Sequence, residues 1–226
     1  MTKEEIDFTR RSSIKAIGSI IASIPGMGII LSPLLSLYND TLSDREISRI
    51  KELIENLFTE LAAHKDDVKE EYLKNEDFGG IFEITLRRVS EERNELKRLA
   101  YKNILVNAIV KADKAFEDID MYIRILDRLT PDHIEILRLI YRPDLHSKNG
   151  QPINEHEKSH TTEALFKKYL QWTQVDKIRD CLYELEYMRL IEALAGGMRN
   201  MAQTSVSALQ NARTTRGKAL IDHIMQ

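Results

Sequence analysis

The chain reads as a mainly α-helical protein in two parts: a helical N-terminal part, then shorter helices joined to a small β-hairpin. Three observations predict this. Hydrophobic residues make up 42% and charged residues 31%, with only nine glycines and five prolines among 226 residues, a balance that suits helices with one wet face. Apolar residues recur at intervals of three and four through most of the chain. The texture then changes at Thr130-Pro131, after which segments shorten and a Gly196-Gly197 pair appears.

The first segment, AIGSIIASIPGMGIILSPLLSLYN (16–39), contains no charge. A helix of about 20 apolar residues can span a bilayer. Ser19, Ser23, Ser32 and Ser36 dilute this one, and Pro25-Gly26 with Gly28 should break it near the middle. It reads as two short apolar helices on a Pro-Gly turn. Ile20, Ile21, Ile24, Pro25, Ile29, Ile30, Leu31, Leu34 and Leu35 are its candidates for membrane insertion or self-association. Burial or self-association is favoured, because breakers inside a lipid-exposed span leave backbone groups unsatisfied.

Ser43 and Glu46 form a capping box for an amphipathic helix with Ile47, Ile50, Leu53, Ile54, Leu57 and Leu61 on one face. A charged helix is expected over Asp66–Asn75, ended by Phe78-Gly79-Gly80. Helices follow over Ile81–Val89 and Glu91–Val110, with continuity between them left open. In RRVSEERNELKR, bases and acids alternate at i to i+4 spacing, which reads as a solvated face and not as a nucleic-acid stripe. DIDMYIRILDRL closes the first domain, residues 1–129.

Thr130 is an N-cap with Pro131 at the first helical position. The helix carries Ile134, Leu137 and Ile140, and is followed by a polar loop, RPDLHSKNGQPINEHEKSH. TTEALFKKYL is the next helix, and Thr173 should cap a third with Val175, Ile178, Cys181, Leu182 and Leu185 inward. Residues 190–210 read as two strands around the glycine pair, and TTRGKALIDHI as a last helix. Three helices, a hairpin wing and a closing helix are the plan of a winged helix-turn-helix over residues 130–226. Thr214 and Gly217 fit the usual closing pattern, whereas Arg213 stands where an apolar strand residue is normal.

Composition narrows function. The net charge of −3 supplies no global attraction for nucleic acid or anionic lipid, so any such contact needs a local patch. The single cysteine, Cys181, rules out an internal disulfide or zinc ribbon and reads as a small buried hydrophobe in a cytoplasmic protein. MTKEEIDFTRRSSIK places acids before its basic cluster, and no short apolar region followed by a small-residue cleavage site appears, so it does not read as an export signal.

HEKSH (156–160) matches a zinc-protease motif, in which two histidines one turn apart hold the metal. That requires a helix, a third ligand and an apolar surround. Here NGQPINE before it reads as loop and Thr161-Thr162 after it as the cap of a later helix. His156 and His160 would therefore bind metal only if HEKSH were helical, and no metal or cofactor is expected. His64, His133 and His223 lie on separate helices and suit surface or packing roles. No phosphate loop or nucleophile elbow is present, so the chain does not read as an enzyme.

Lys167, Lys168, Lys177, Arg179, Arg199, Arg213 and Arg216 are the cations through which the winged helix could meet DNA. The third helix offers only Lys177 and Arg179 against Asp176, Asp180 and Glu184, a poor face for a polyanion. ELKRLAYKNILVNAI (95–109) and YIRILDRLTPDHIEILRLI (122–140) resemble segments of the abortive-infection alpha (Abi-alpha) proteins, which end in a winged helix. The resemblance covers roughly residues 80–226. It implies a bacterial intracellular protein of phage-defence context, with no catalytic residues to carry over. The expectation is a non-enzymatic protein acting by self-association or through a protein partner. A DNA-binding regulator and a membrane-active effector are the alternatives.

Overall fold

A computed structural model describes residues 42–64, 67–68, 73, 75–111, 115–145, 147–148, 151–152, 162–170, 174–192 and 209–225. The apolar 16–39 segment with its nine candidate residues, most of the 66–75 stretch, HEKSH, and the glycine-pair hairpin with Arg199 lie outside the described residues. Among the described residues the structure is mainly helical, and no helix is long and apolar enough to cross a membrane. The chain divides between Arg128 and Leu129 into two compact units.

In the N-terminal unit, α1 (Asp44–Ala63) starts at Ser43. The Ser43 amide donates to Glu46 Oε2 at 2.6 Å and the Glu46 amide returns to Ser43 Oγ at 3.4 Å. All six apolar residues expected on its inner face are buried. α2 (Glu76–Glu91) runs through Phe78-Gly79-Gly80, where the sequence suggested a break. Asn75 caps it, accepting from the Asp77 amide at 2.9 Å, and Phe78, Ile81, Phe82, Leu86 and Val89 bury one side. Cap and core together outweigh two unfavourable glycines. A Cβ added at Gly79 or Gly80 meets nothing within 4 Å. Gly79→Ala and Gly80→Ala should therefore each stabilise the unit by about 0.5–1 kcal/mol, read as a higher urea midpoint.

α3 (Glu95–Lys111) is separated from α2 by Glu92-Arg93-Asn94 and packs against α1, α2 and α4 (Phe116–Arg128). Its middle is surrounded: every residue from Ala100 to Ile109 is buried, and its wet positions, Glu95, Leu99 and Lys111, lie outside that stretch. In the charge run 87–98, Arg87, Arg88, Glu91, Arg93 and Glu95 are exposed as their alternation suggests, and Lys97 is the exception. Lys97 is buried, its Nζ 3.2 Å from Glu92 Oε2 and donating to the Asp127 carbonyl at 3.4 Å. Lys102 is buried against Glu60, and Arg98 is 3.6 Å from Glu52. Asp127 receives the Tyr101 hydroxyl at 2.5 Å and Arg88 Nε at 3.0 Å. Burial, with Asp127 beside it, pushes the Tyr101 phenol well above its usual range and keeps it a donor. Arg87, paired with Glu83 on the surface, does behave as the alternating pattern suggests.

The C-terminal unit is built around α5 (Pro131–Tyr141), which packs on α6 (Thr162–Leu170), α7 (Val175–Tyr187) and α8 (Thr215–Ile224). Within the segment between α5 and α6, a 3-10 turn (Pro143–Leu145) precedes β1 (Ser147–Lys148), which pairs antiparallel with β2 (Gln151–Pro152). Leu165, Phe166, Ile178, Leu182, Leu185, Leu220 and Ile221 are buried on the helices that pack on α5 and form this core with its inner side. The cap of α7 is Gln174, one residue beyond the expected Thr173, and its side chain makes no capping bond.

Candidate interaction surface of the C-terminal unit

Two local devices set the pose of α7. The first links the start of α5, capped by Thr130 and His133, to Glu184 in the last turn of α7. The His133 ring takes the place that Glu or Gln holds in a usual capping box. The Thr130 amide donates to Nδ1 at 3.0 Å, so the ring proton sits on Nε2, 3.0 Å from Glu184 Oε2 of α7. His133 is thus a core residue joining two helices. Its pKa is lowered, chiefly because burial disfavours the cation, with Glu184 and Asp132 opposing. The unfolded chain takes up this proton near pH 6.5, while the folded ring resists it until lower pH. Stability should therefore fall as pH drops through 6.5 and level off below the folded pKa. His133→Gln should flatten the dependence of urea midpoint on pH between 7.5 and 5, and an unchanged slope would remove the assignment.

The second device ends α7. The Leu190 amide donates to Leu185 O and the Arg189 amide to Glu186 O, both at 2.9 Å, which is a Schellman closure. Arg189 stands at its left-handed position with φ 57°, where glycine is normal. Arg189→Gly should stabilise the unit by about 1 kcal/mol in urea denaturation.

The chain then meets α8 at a tight corner. Ile191 bridges Arg213 antiparallel. Thr214 caps α8, its Oγ1 accepting from the Gly217 amide at 2.9 Å and donating to Leu190 O at 3.1 Å. The Tyr141 hydroxyl donates to Leu190 O at 2.6 Å and accepts from the Thr214 amide at 2.9 Å. The Thr214–Gly217 pattern read from the sequence thus has a physical cause. Thr214 satisfies the helix start, and Gly217 leaves room for Tyr141 and Leu190.

The outward side of α7 carries Asp176, Arg179, Asp180, Tyr183, Glu184 and Tyr187. Tyr183 is 51% and Tyr187 87% exposed, the latter an unusual placement for a large aromatic ring. The cations of this helix are engaged within the unit: Lys177 Nζ is 2.7 Å from Asp132, and Arg179 Nη1 is 3.0 Å from Asp176. Arg213, expected at a DNA contact, turns inward instead. Its Nε donates to the Ile140 carbonyl at 2.9 Å, and its guanidinium lies 5.9 Å from the Tyr141 ring centre. This contact also explains a charged residue at an apolar strand position. Lys168 lies over the Tyr169 ring, 5.3 Å from its centre, and Lys167 is half-buried on the same helix. Arg216 is exposed and lines a shallow groove with Glu186, Arg189, Ile191, Glu192 and Thr214.

Cys181 is buried, and desolvation pushes its thiol up to about 11, which favours the neutral thiol at neutral pH. Glu184 faces His133 of α5, so it pairs within the helices of this unit. His223 is likewise buried, Nδ1 2.8 Å from the Ala219 carbonyl, so neither histidine belongs to the surface. Among the described residues no group of three or more His, Cys, Asp or Glu is placed to hold a metal ion. Tyr187 is the residue that sequence reasoning missed. It falls in the exposed register 176–180–183–187, where its wet position could have been read from helical spacing alone. No family model, curated protein or solved structure matches the chain.

Proposed function

We propose that the chain is a non-enzymatic interaction protein, and that its C-terminal unit is a winged helix whose third helix meets a protein instead of DNA. The observation that carries this is the outward side of α7, where both cations are held in ion pairs and two tyrosines stand exposed. Duplex binding relies on cations that neutralise phosphates, whereas exposed aromatic rings are typical anchors of protein interfaces. The order α5–α6–α7, the Ile191–Arg213 bridge and the Thr214-capped α8 support the winged-helix reading. The resemblance of residues 95–109 and 122–140 to Abi-alpha proteins supports a setting in phage defence.

Fluorescence anisotropy with a labelled 20-base-pair duplex, at about 50 mM salt, tests the choice between DNA and protein. The reading expects only weak binding that Lys177→Ala and Arg179→Ala leave unchanged. Tight binding that these variants weaken, with a steep salt dependence, would instead establish the winged helix as a DNA reader.

A further inference from the structure

The partner's chemistry is written on the same face. Resting on the reading of α7 as a protein-docking helix, we propose that its occupant is an arginine-bearing segment of another protein, and not a second copy of this chain. Asp176, Asp180, Tyr183 and Tyr187 follow one another at i, i+4, i+7 and i+11, a straight stripe about 16 Å long on one side of the helix. Arg179 is paired with Asp176 and Lys177 with Asp132, so Asp180 and Glu184 are left to set the sign of the surface. Glu184 is 64% exposed at its side chain, and its neighbour His133 is neutral near pH 7. The face is therefore anionic at one end and aromatic at the other.

An arginine fits both halves of that surface. Its planar guanidinium forks onto a carboxylate and also stacks on an aromatic ring, which a lysine ammonium does less well. A two-fold contact through the middle of the stripe would set its acidic end on the aromatic end of the other copy, since an isologous interface pairs residue i with residue j. Such a dimer would cover Asp176 and Asp180 without bringing them a new cation, whereas an arginine-bearing segment supplies one.

The test uses the full chain and a fluorescein-labelled, alanine-rich helical peptide of about 16 residues, long enough to match the stripe, with arginines at i, i+4, i+7 and i+11. Its lysine and glutamate counterparts are compared with it. The arginine peptide should bind saturably, the lysine peptide more weakly and the glutamate peptide not at all. Tyr187→Ala should weaken binding about tenfold, and Asp180→Lys should weaken the arginine peptide while admitting the glutamate one. Both side chains are solvent-facing, so unchanged circular dichroism and urea midpoints should accompany these losses.

The proposal is overturned if the wild-type chain shows no saturable binding of the arginine peptide, or if the glutamate peptide binds equally. It is overturned too if Asp180→Lys has no effect, or if sedimentation shows an oligomer that Tyr187→Ala dissociates. That last result would leave α7 a protein-binding helix and change only its occupant. Tight duplex binding through Lys177 and Arg179 would remove the underlying reading itself.

Discussion

Replacing Gly217 by alanine is expected to destabilise the C-terminal unit by about 3 kcal/mol, among the largest effects of any single methyl group in this chain. A Cβ there would stand 2.1 Å from both the Leu190 carbonyl oxygen and the Tyr141 hydroxyl. The hydroxyl belongs to a buried ring already fixed by two hydrogen bonds, and the carbonyl belongs to the backbone at the corner between α7 and α8. Neither can withdraw without breaking the contacts that seat α8. Tyr141→Phe alone should cost about 1–2 kcal/mol, because it leaves the Thr214 amide without its acceptor. The double variant should be less unstable than the sum, since removing the hydroxyl relieves one of three close approaches and leaves the Leu190 carbonyl and the ring carbon Cζ, 2.7 Å from the new Cβ, in place. Urea denaturation of the three proteins checks this. A Gly217→Ala midpoint equal to wild type would show that the corner is looser than the distances imply.

The second large effect is expected in the N-terminal unit. Lys102→Met should cost about 2 kcal/mol, because it strips Glu60 of its partner in a partly buried setting. Removing one member of a fully buried pair is worth more, but the Glu60 side chain keeps 29% exposure and water can partly compensate. Adding Glu60→Leu to Lys102→Met should recover most of the loss, as an apolar pair needs no desolvation of charge. If the single variant is neutral, the pair is not a structural element. If the double variant is no better than the single, Glu60 is not the reason for the cost.

These two sites also mark how far the sequence could be read. The predicted stripe of α1 and the caps at Ser43, Thr130 and Thr214 were legible because capping and amphipathicity are local: they depend on residues three and four apart. The glycines of α2 were misread for the same reason. Local propensity counts against Gly79-Gly80, while the burial of Phe78 and Phe82 that overrides it is a property of the packed unit. The alternating run 87–98 is mostly surface, as alternating charge usually is, but Lys97 within it and Lys102 beyond it are buried, and only the packing of α1, α2 and α4 around α3 turns these two into interior pairs.

On the candidate surface, the charge balance of α7, its helical register and the Thr214–Gly217 signature can be read along the chain without any contact known. Those are consequences of residue identity and of a 3.6-residue period. It took the packing of the helices to turn Lys177 to Asp132, to face Arg213 into the core, and to bring His133 Nε2 within 3.0 Å of Glu184 on α7. Asp132 and Lys177 are 45 residues apart and Ile140 and Arg213 are 73 residues apart. A long cationic side chain finds its partner by where the backbone carries it, and no periodicity in one helix records what the neighbouring helix will offer.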